Sequence, residues 1–345
     1  MRYEARFLLG GGAMGEVWVG MQRGPHGFER PVVLKRARAA IPLPGELDPE
    51  EALVRESHLL SLIAHPNVVR LIDLAKTPDG LVLVLELIRG VSLRRWLEAL
   101  DDEGRRLDAG FAARLIADVA LGLDATHRAA DLDGRAADIV HRDVNPENLM
   151  VSEHGLVKLL DFGVARTALR ERTRVPVIKG KLPYLSPEQV EGRELDWRSD
   201  VFALGAVLFE LVTGRRLFAG EDATAVLDAI AEARTASLPD PCPDPMRAMF
   251  DRMTALDPRA RPSFAEVATA LDAIASAAGV SHGTVASALR RDMGSALDGL
   301  RARLRGLPEG STTELETPVA RALDAFATSG DATLPDAPAT KELPR

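Results

Sequence analysis

The sequence predicts an α+β fold of two lobes, a small β-rich lobe over residues 1–88 and a larger, mainly helical lobe over 89–278. Two observations support this. Short runs of β-branched and aliphatic residues dominate the first part of the chain, and helical periodicity dominates the next part. An amphipathic helix is predicted over 279–306. Residues 307–345 contain few large apolar residues, so we expect a mostly disordered tail.

The composition is that of a globular protein. Of the 345 residues, 46% are hydrophobic and 27% are charged, with a formal net charge of −8. This acidic balance argues against a nucleic-acid partner. The single Cys242 excludes an intramolecular disulfide and a site of several cysteines for a metal ion. Without an early apolar signal segment or an uncharged apolar run of about 18 residues, we expect a cytoplasmic protein with no membrane insertion.

The strands of the small lobe are predicted from four short apolar runs. These are Val17–Gly20, Pro31–Lys35, Val68–Asp73 and Leu81–Glu86. One helix is predicted at Glu50–Ala64, where apolar residues share a face and the turn His65-Pro66-Asn67 ends the helix.

The large lobe is predicted from six segments with helical periodicity. These are Leu93–Leu100, Phe111–Arg128, Asp200–Thr213, Asp222–Arg234, Asp244–Ala255 and Ser263–Ala278. A further apolar stripe with spacings of three and four runs through residues 283–304. Because an isolated helix of this length is marginal in water, we expect it to pack against the large lobe or a partner.

A glycine-rich segment, Gly10-Gly11-Gly12-Ala13-Met14-Gly15-Glu16-Val17, precedes the first of these predicted strands. Because a strand follows it rather than a helix, the segment predicts a hairpin tip and not a dinucleotide-binding turn. Such glycines let backbone N–H groups approach phosphate oxygens closely. For this motif alone, a plain glycine-rich turn is an equal alternative.

Lys35 ends a predicted strand, and Glu56 lies on the predicted helix that follows. Each alone is an ordinary surface charge. Together they could form an ion pair that holds the lysine against phosphate groups, as phosphoryl transfer requires.

The strongest pattern is His141-Arg142-Asp143-Val144-Asn145-Pro146-Glu147-Asn148, followed by Asp161-Phe162-Gly163. The proline places Asp143 and Asn148 in a loop, and Asp161 follows the strand-like run Leu156–Leu160. Carboxylate and amide oxygens from two loops suit Mg²⁺. Phosphoryl transfer needs metal-bound phosphates and a carboxylate that orients the attacking hydroxyl group.

With these motifs in this order, the chain resembles the bacterial branch of the eukaryotic-type serine/threonine protein kinases over residues ~3–275. The resemblance implies the bilobal protein kinase fold, with ATP and Mg²⁺ as cofactors and protein Ser/Thr hydroxyl groups as acceptors. The matching motifs are Gly10–Val17, Lys35, Glu56, His65-Pro66-Asn67, Glu86-Leu87-Ile88, His141–Asn148, Asp161–Gly163, Ser186-Pro187-Glu188, Asp200 and Arg261.

The resemblance also implies a nucleotide site. The implied phosphate contacts are Gly10, Gly12, Gly15 and Lys35, which pairs with Glu56; the implied adenine contacts are Val17, Val33, the gatekeeper Leu85, and the hinge residues Glu86 and Ile88.

For catalysis, the resemblance implies that Asp143 accepts the proton of the substrate hydroxyl group, and that Asn148 and Asp161 hold Mg²⁺. Supporting roles are implied for the ion pair Glu188–Arg261, for Asp200 beneath the catalytic loop, and for Arg142, which marks kinases whose activation segment a phosphate can stabilise.

Two positions depart from the family pattern. Asn145 stands where a lysine is usual, and Lys181 stands where a threonine is usual. Our hypothesis is compensation, in which the Lys181 ammonium occupies the space above Asn145 and serves the γ-phosphate. The alternative is a solvated Lys181 and an enzyme weakened by Asn145.

The segment between Asp161 and Glu188 is basic, with Arg170, Arg172, Arg174 and Lys179. Thr167 and Thr173 are the candidate autophosphorylation sites, since arginines could gather the phosphate. A solvated loop is the alternative.

The sequence therefore predicts a non-specific serine/threonine protein kinase. One rival is a nucleotide-binding pseudokinase that acts as a scaffold through its C-terminal helix and tail, which Asn145 favours. The other is a phosphotransferase of the same fold that acts on a small molecule, which Ser186-Pro187-Glu188 disfavours.

Overall fold

The computed structural model describes residues 2–12, 15–37, 48–77, 80–131, 133–162, 181–233 and 235–306. The small lobe holds an antiparallel five-stranded sheet with the strand order β1-β2-β3-β5-β4. Its strands are β1 (Arg2–Gly12), β2 (Gly15–Arg23), β3 (Glu29–Arg36), β4 (Leu71–Thr77) and β5 (Gly80–Glu86). Helix α1 (Pro49–Ser61) packs against β4 and β5.

Helix α1 begins at a proline, and the Asp48 carboxylate caps it by accepting the backbone N–H of Glu50 at 2.8 Å. It ends at Ser61, three residues before the predicted end. The backbone N–H groups of Leu62 and Ile63 bond three residues back, to Leu59 and Leu60, so the chain leaves the helix through a tighter turn.

The predicted strand Val68–Asp73 is wrong at its start, because β4 begins at Leu71. Val68 forms an isolated parallel bridge to Leu159, and the backbone N–H of Val69 donates to the Leu159 carbonyl at 2.9 Å. This buried apolar stretch thus connects the small lobe to the large one.

The large lobe contains each of the six predicted helices, with ends within three residues of the prediction. They are α2 (Leu93–Asp102), α3 (Ala109–His127), α5 (Arg198–Thr213), α6 (Ala223–Ala231), α7 (Asp244–Met253) and α8 (Phe264–Ala277). A short helix, α4 (Pro187–Val190), was not predicted. Thirteen of the 19 residues of α3 and 14 of the 16 residues of α5 are buried, and these two helices contribute many residues to the main core.

A second, three-stranded sheet lies in the large lobe, with the order β6-β7-β8. Its strands are β6 (Gly90–Ser92), β7 (Leu149–Ser152) and β8 (Val157–Leu159). Only β8 was predicted, since strands of three or four residues are too short to show periodicity. Two of the predicted metal-binding residues lie at its ends: Asn148 precedes β7, and Asp161 follows β8.

Helix α9 (His282–Arg305) contains the predicted stripe and packs against its own chain, on α2 and β6. Its buried residues are Val285, Ala288, Leu289, Met293 and Leu297. At its far end the Arg303 guanidinium lies 3.8 Å from the centre of the Phe7 ring on β1, so α9 contacts both lobes.

The described residues up to Gly306 form one compact unit, and the predicted tail over 307–345 lies outside the described residues. Within the described ranges, no single helix is long and apolar enough to cross a membrane. Taken together, α8 and α9 reach that length and composition, but they are bent by 73° relative to each other.

Candidate active site

The register of the small sheet sets the predicted nucleotide residues side by side. Gly10 lies opposite Val17, Val17 opposite Lys35, and Lys35 opposite Leu83. Two positions along, and so on the same face of the sheet, Val33 lies opposite Leu85. One segment of sheet, across four strands, therefore carries the glycine hairpin, the lysine and the gatekeeper position.

The glycines of this hairpin have different requirements. Gly15 has φ +145°, and a Cβ there would lie 2.2 Å from the Arg36 carbonyl oxygen, so the fold itself requires a glycine. A Cβ at Gly10 would meet no atom within 4 Å, so packing does not require a glycine at this position. Gly12 ends β1, and residues 13 and 14 of the tip lie outside the described residues.

Lys35 lies between two carboxylates. Its Nζ donates to both Glu56 oxygens at 2.9 Å and to Asp161 Oδ1 at 2.8 Å. Burial alone would lower the pKa of Lys35, but the charges of Asp161 and Glu56 outweigh burial and raise it. Lys35 is therefore a cation held in place by the two carboxylates.

The two carboxylates respond differently to this lysine. Burial raises the pKa of Glu56 despite the opposing charge of Lys35, and the Asp161 carboxylate adds to the rise. For Asp161, whose side chain is 45% exposed, partial burial acts to raise the pKa, but the Lys35 charge and hydrogen bond lower it overall. Asp161 thus stays ionised and open to a ligand.

Asp161 follows β8 with a strained backbone, φ +44°, which is uncommon for a residue other than glycine. The next residue, Phe162, is buried, and its ring lies 4.8 Å from the His141 ring. This contact ties the Asp161 loop to the catalytic loop. Gly163, the last residue of the motif, lies outside the described residues.

The Asp143 carboxylate accepts hydrogen bonds from three side chains. Asn145 Nδ2 donates to Oδ1 at 3.1 Å, Asn148 Nδ2 donates to Oδ2 at 2.9 Å, and Lys181 Nζ lies 2.8 Å from Oδ2. Both amides also donate to the Asp143 carbonyl. These bonds hold the carboxylate in one orientation.

Asp200 braces this loop from below. Its carboxylate accepts the backbone N–H groups of His141 at 2.7 Å and Arg142 at 2.8 Å. These bonds support Arg142 in a left-handed conformation with φ +66°. His141 Nε2 lies 2.8 Å from the Leu160 carbonyl, so the braced loop is also joined to the strand that leads to Asp161.

The turn that follows Lys181 is held in place by a buried hydrogen-bond network. The Tyr184 hydroxyl donates to Glu210 Oε2 at 2.5 Å, and Arg94 NH1 donates to Glu210 Oε1 at 2.9 Å. Arg94 also contacts the Tyr184 hydroxyl. Nearby, Gln189 Nε2 donates to the Arg142 carbonyl at 3.2 Å.

The sequence did not identify Arg94 and Glu210 as site residues. Glu210 carried one available signal, because it is the one charge within the otherwise apolar run Val201–Val212, and a buried charge needs a partner. Nothing in the sequence pointed to Arg94 as that partner.

The hinge is partly occupied by its own protein contacts. The Glu86 N–H donates to the Arg70 carbonyl at 3.1 Å, so this donor of the predicted hinge is already satisfied within the protein. The Glu86 carboxylate accepts the Arg70 N–H at 2.8 Å and the Lys158 ammonium at 2.7 Å. Its side chain therefore joins the hinge to β8.

Glu188 and Arg261 form a bidentate ion pair with N–O distances of 2.6 and 3.0 Å. Their side chains are only 4% and 0% exposed. Ser199 donates to Glu188 at 2.7 Å, and Arg261 also donates to the carbonyls of Ala255 and Arg198. The pair thus ties α4 to α5 and to the loop after α7.

Two of the predicted features fall in a part of the chain that the structure does not describe. The candidate phosphorylation sites Thr167 and Thr173, and the basic residues around them, lie outside the described residues. Among the residues that the structure does describe, no group of three or more His, Cys, Asp or Glu could hold a metal ion by itself.

The chain is similar to proteins of a known family. Residues 3–271 match the family model of the protein kinase domain. Tyrosine-protein kinase MasK of Myxococcus xanthus is 35% identical over 225 residues, which cover 65% of this chain and 34% of MasK.

Two serine/threonine-protein kinases of Streptomyces coelicolor are also similar. PkaB is 36% identical over 279 residues, 78% of this chain and 62% of PkaB. PkaA is 33% identical over 327 residues, 90% of this chain and 57% of PkaA. The chain thus spans between one third and somewhat over three fifths of the length of these relatives.

Proposed function

The chain belongs to the protein kinase family, and on that premise we propose that it is an ATP-dependent serine/threonine protein kinase. It would transfer the γ-phosphate of ATP to Ser or Thr hydroxyl groups of proteins, its own included. One observation supports this above the others: the Lys35–Glu56–Asp161 group and the Asp143–Asn148 group are joined through the Leu160 N–H, which donates to the Asn148 carbonyl at 2.8 Å.

The proposed reaction needs a carboxylate beside the acceptor hydroxyl group. Asp143 would accept that proton while the hydroxyl oxygen bonds to the γ-phosphorus and the bond from the γ-phosphorus to the bridging oxygen breaks, with ADP as the leaving group. The amides of Asn145 and Asn148 keep the Asp143 carboxylate aimed. Lys35 would neutralise phosphate charge, and its raised pKa keeps it cationic throughout.

The donor set suits Mg²⁺. Asp161 offers an ionised carboxylate of which Lys35 contacts one oxygen, and Asn148 keeps an amide oxygen because its nitrogen donates to Asp143. Few protein ligands are needed, since Mg²⁺ in such sites is bound largely by substrate phosphates and water. When bound by Asn148 and Asp161, Mg²⁺ would neutralise charge on the β- and γ-phosphate oxygens.

The amino-acid specificity belongs to the proposal as well. The printed names of the relatives include both serine/threonine-protein kinases and one tyrosine-protein kinase. Phosphoamino-acid analysis of a generic protein substrate tests this directly. Phosphoserine and phosphothreonine support the proposal, and phosphotyrosine alone would overturn its specificity.

Two substitutions test the catalytic assignment with radiolabelled ATP. Asp161→Ala should abolish transfer, because the metal ion loses its charged ligand. Asp143→Asn should lower kcat by roughly 10²–10⁴-fold with little change in nucleotide affinity, because this carboxylate acts on the hydroxyl group and not on ATP. Asp228→Asn, an exposed carboxylate on α6, is the matched control.

Near-normal turnover by Asp143→Asn would contradict the role given to that loop. A wild-type protein that binds ATP but transfers no phosphate to any protein would favour the scaffold alternative. Transfer only to a small molecule would favour the other rival.

A further inference from the structure

Behind the hinge, on the side of the chain that α9 covers, lies an open groove of about 720 Å³. Five arginines line it: Arg30, Arg70, Arg89, Arg301 and Arg305. The only carboxylates among its lining residues are Glu86 and Asp298. A groove with this excess of cations contrasts with the formal net charge of −8 of the whole chain.

Several of these arginines keep their charge available to a ligand. Among the described residues, Arg30 donates to the neutral Gln22 amide oxygen, at 2.6 and 3.0 Å, and to no carboxylate. The guanidinium groups of Arg70 and Arg305 form no ion pair or hydrogen bond with any residue in the described ranges, and both residues are exposed. Arg89 and Arg301, by contrast, share the Glu153 carboxylate at 2.9 and 2.5 Å.

The two lining carboxylates do not cancel this charge. Glu86 is engaged by Lys158 at 2.7 Å, and Asp298 by Arg301 at 3.3 Å. Arg30, Arg70 and Arg305 are therefore left without a carboxylate partner among the described residues.

We propose that this groove binds a phosphorylated peptide segment of a protein. Arginine guanidinium groups pair with phosphate in a bidentate manner, and the groove offers several of them within one cavity. The apolar residues Ile72, Leu87 and Leu304 also line the groove, and they suit the neighbours of a phosphorylated residue.

Other anions fit the groove less well. No aromatic side chain is among its described lining residues, so it has no platform on which bases could stack, as single-stranded nucleic acid requires. An inorganic phosphate would fill little of the cavity and would leave the apolar lining residues without a contact.

The groove depends on helix α9, which begins beyond the residues that match the family model. Arg30 and Arg70 come from the small lobe, while Arg301 and Arg305 come from α9. A peptide bound here would contact both lobes beside the hinge. The choice of a phosphopeptide rests on the proposed function, but the site itself follows from the described side chains.

Binding is measured by fluorescence anisotropy of a labelled peptide with one phosphothreonine flanked by leucine and isoleucine. The assay contains the full chain and no ATP, so its outcome is independent of whether the protein is an active kinase. We expect the unphosphorylated peptide to bind about tenfold or more weakly, and added salt to weaken binding of the phosphopeptide.

The double variant Arg70→Ala/Arg305→Ala should lose phosphopeptide affinity by about tenfold or more, since each guanidinium supplies a charge-assisted contact. The control is Arg95→Ala/Arg290→Ala, two exposed arginines on α2 and α9 that do not line the groove, and it should bind like the wild type. Unchanged melting temperatures confirm that each variant is folded.

Three outcomes would overturn the proposal. Both peptides could bind equally, the Arg70/Arg305 double variant could bind the phosphopeptide as the wild type does, or pyrophosphate or an oligothymidylate probe could bind more tightly than the phosphopeptide.

Discussion

Asn145 and Lys181 both contact the Asp143 carboxylate, one on each oxygen. The Asn145 amide lies 3.1 Å from Oδ1, and the Lys181 ammonium lies 2.8 Å from Oδ2. Lys181 thus reaches the residue to which the family pattern assigns the hydroxyl proton. This contact supports our proposal of compensation, in which Lys181 replaces the lysine that the family usually has at position 145.

At the residue scale, we predict that Lys181→Ala lowers kcat strongly with a modest change in the KM for ATP. The expected loss is about 2–4 kcal/mol of transition-state stabilisation, as for other groups aimed at developing charge. Asn145→Lys alone should not raise kcat, because two ammonium groups would then crowd one phosphate. Steady-state kinetics on the purified variants measure both effects.

The double variant Asn145→Lys/Lys181→Thr restores the common arrangement and should recover much of the activity that Lys181→Ala loses. The double-mutant cycle should therefore show strong coupling. Additive effects, or a fully active Lys181→Ala enzyme, would reject compensation.

At the scale of elements, Asp292 is a buried polar anchor of α9. Its carboxylate, 3% exposed, accepts the Trp96 indole N–H at 3.1 Å and an Arg105 N–H at 2.9 Å. Trp96 itself is fully buried on α2. A buried indole N–H cannot donate to water, so it needs a partner within the protein. The bond to Asp292 supplies that partner and links α2 to α9.

We predict that Asp292→Ala lowers the free energy of unfolding by about 1–3 kcal/mol, the cost of an unsatisfied buried donor. Asp292→Asn, which still offers an oxygen to the indole, should lose less. Asp298→Ala is the control on the same helix, because its carboxylate is 68% exposed and pairs only at 3.3 Å. Urea denaturation measures all three. If Asp292→Ala and Asp298→Ala lowered the free energy of unfolding equally, the bond between Asp292 and Trp96 would not be what stabilises the packing of α9.

At the scale of the whole molecule, the Glu188–Arg261 pair links distant parts of the large lobe and makes stability depend on pH. Burial acts to raise the pKa of Glu188, but the bidentate Arg261 lowers it overall. The stabilisation that ionised Glu188 gives the folded protein is therefore complete above the ordinary glutamate pKa of about 4.3. It is lost as the pH falls through the lower pKa that Glu188 has in the folded state.

We predict that Arg261→Leu lowers the free energy of unfolding at neutral pH by about 3–5 kcal/mol, because it leaves a buried carboxylate unpaired. Burial then raises the pKa of Glu188, so the loss should shrink as the pH falls from 7 towards 5. Melting temperatures across this range measure the trend.

The double variant Glu188→Gln/Arg261→Leu removes the unpaired charge, so it should be more stable than Arg261→Leu at pH 7 and should not show this trend. If the loss in Arg261→Leu were independent of pH, the unpaired carboxylate would not be its cause.

The sequence alone determined the two lobes, the order of the catalytic motifs and the stripe of α9. Each of these is a local pattern: strand runs such as Leu81–Glu86, a loop motif such as His141–Asn148, or a period of three and four residues. Such patterns are read within a short window, and tertiary packing then shifts only their ends, as at Ser61 and Leu71.

The tertiary structure decided which distant residues meet. Arg94 and Glu210 are 116 positions apart, and Trp96 and Asp292 are 196 apart, so no local pattern could pair them. The same holds for the stripe of α9, whose periodicity specified an apolar face and not what covers that face. Packing on α2 and β6 settled this and placed Arg301 and Arg305 beside Arg70 in one groove. Burial and partner choice depend on the whole chain, because a charge becomes costly or useful only once its surroundings are assembled.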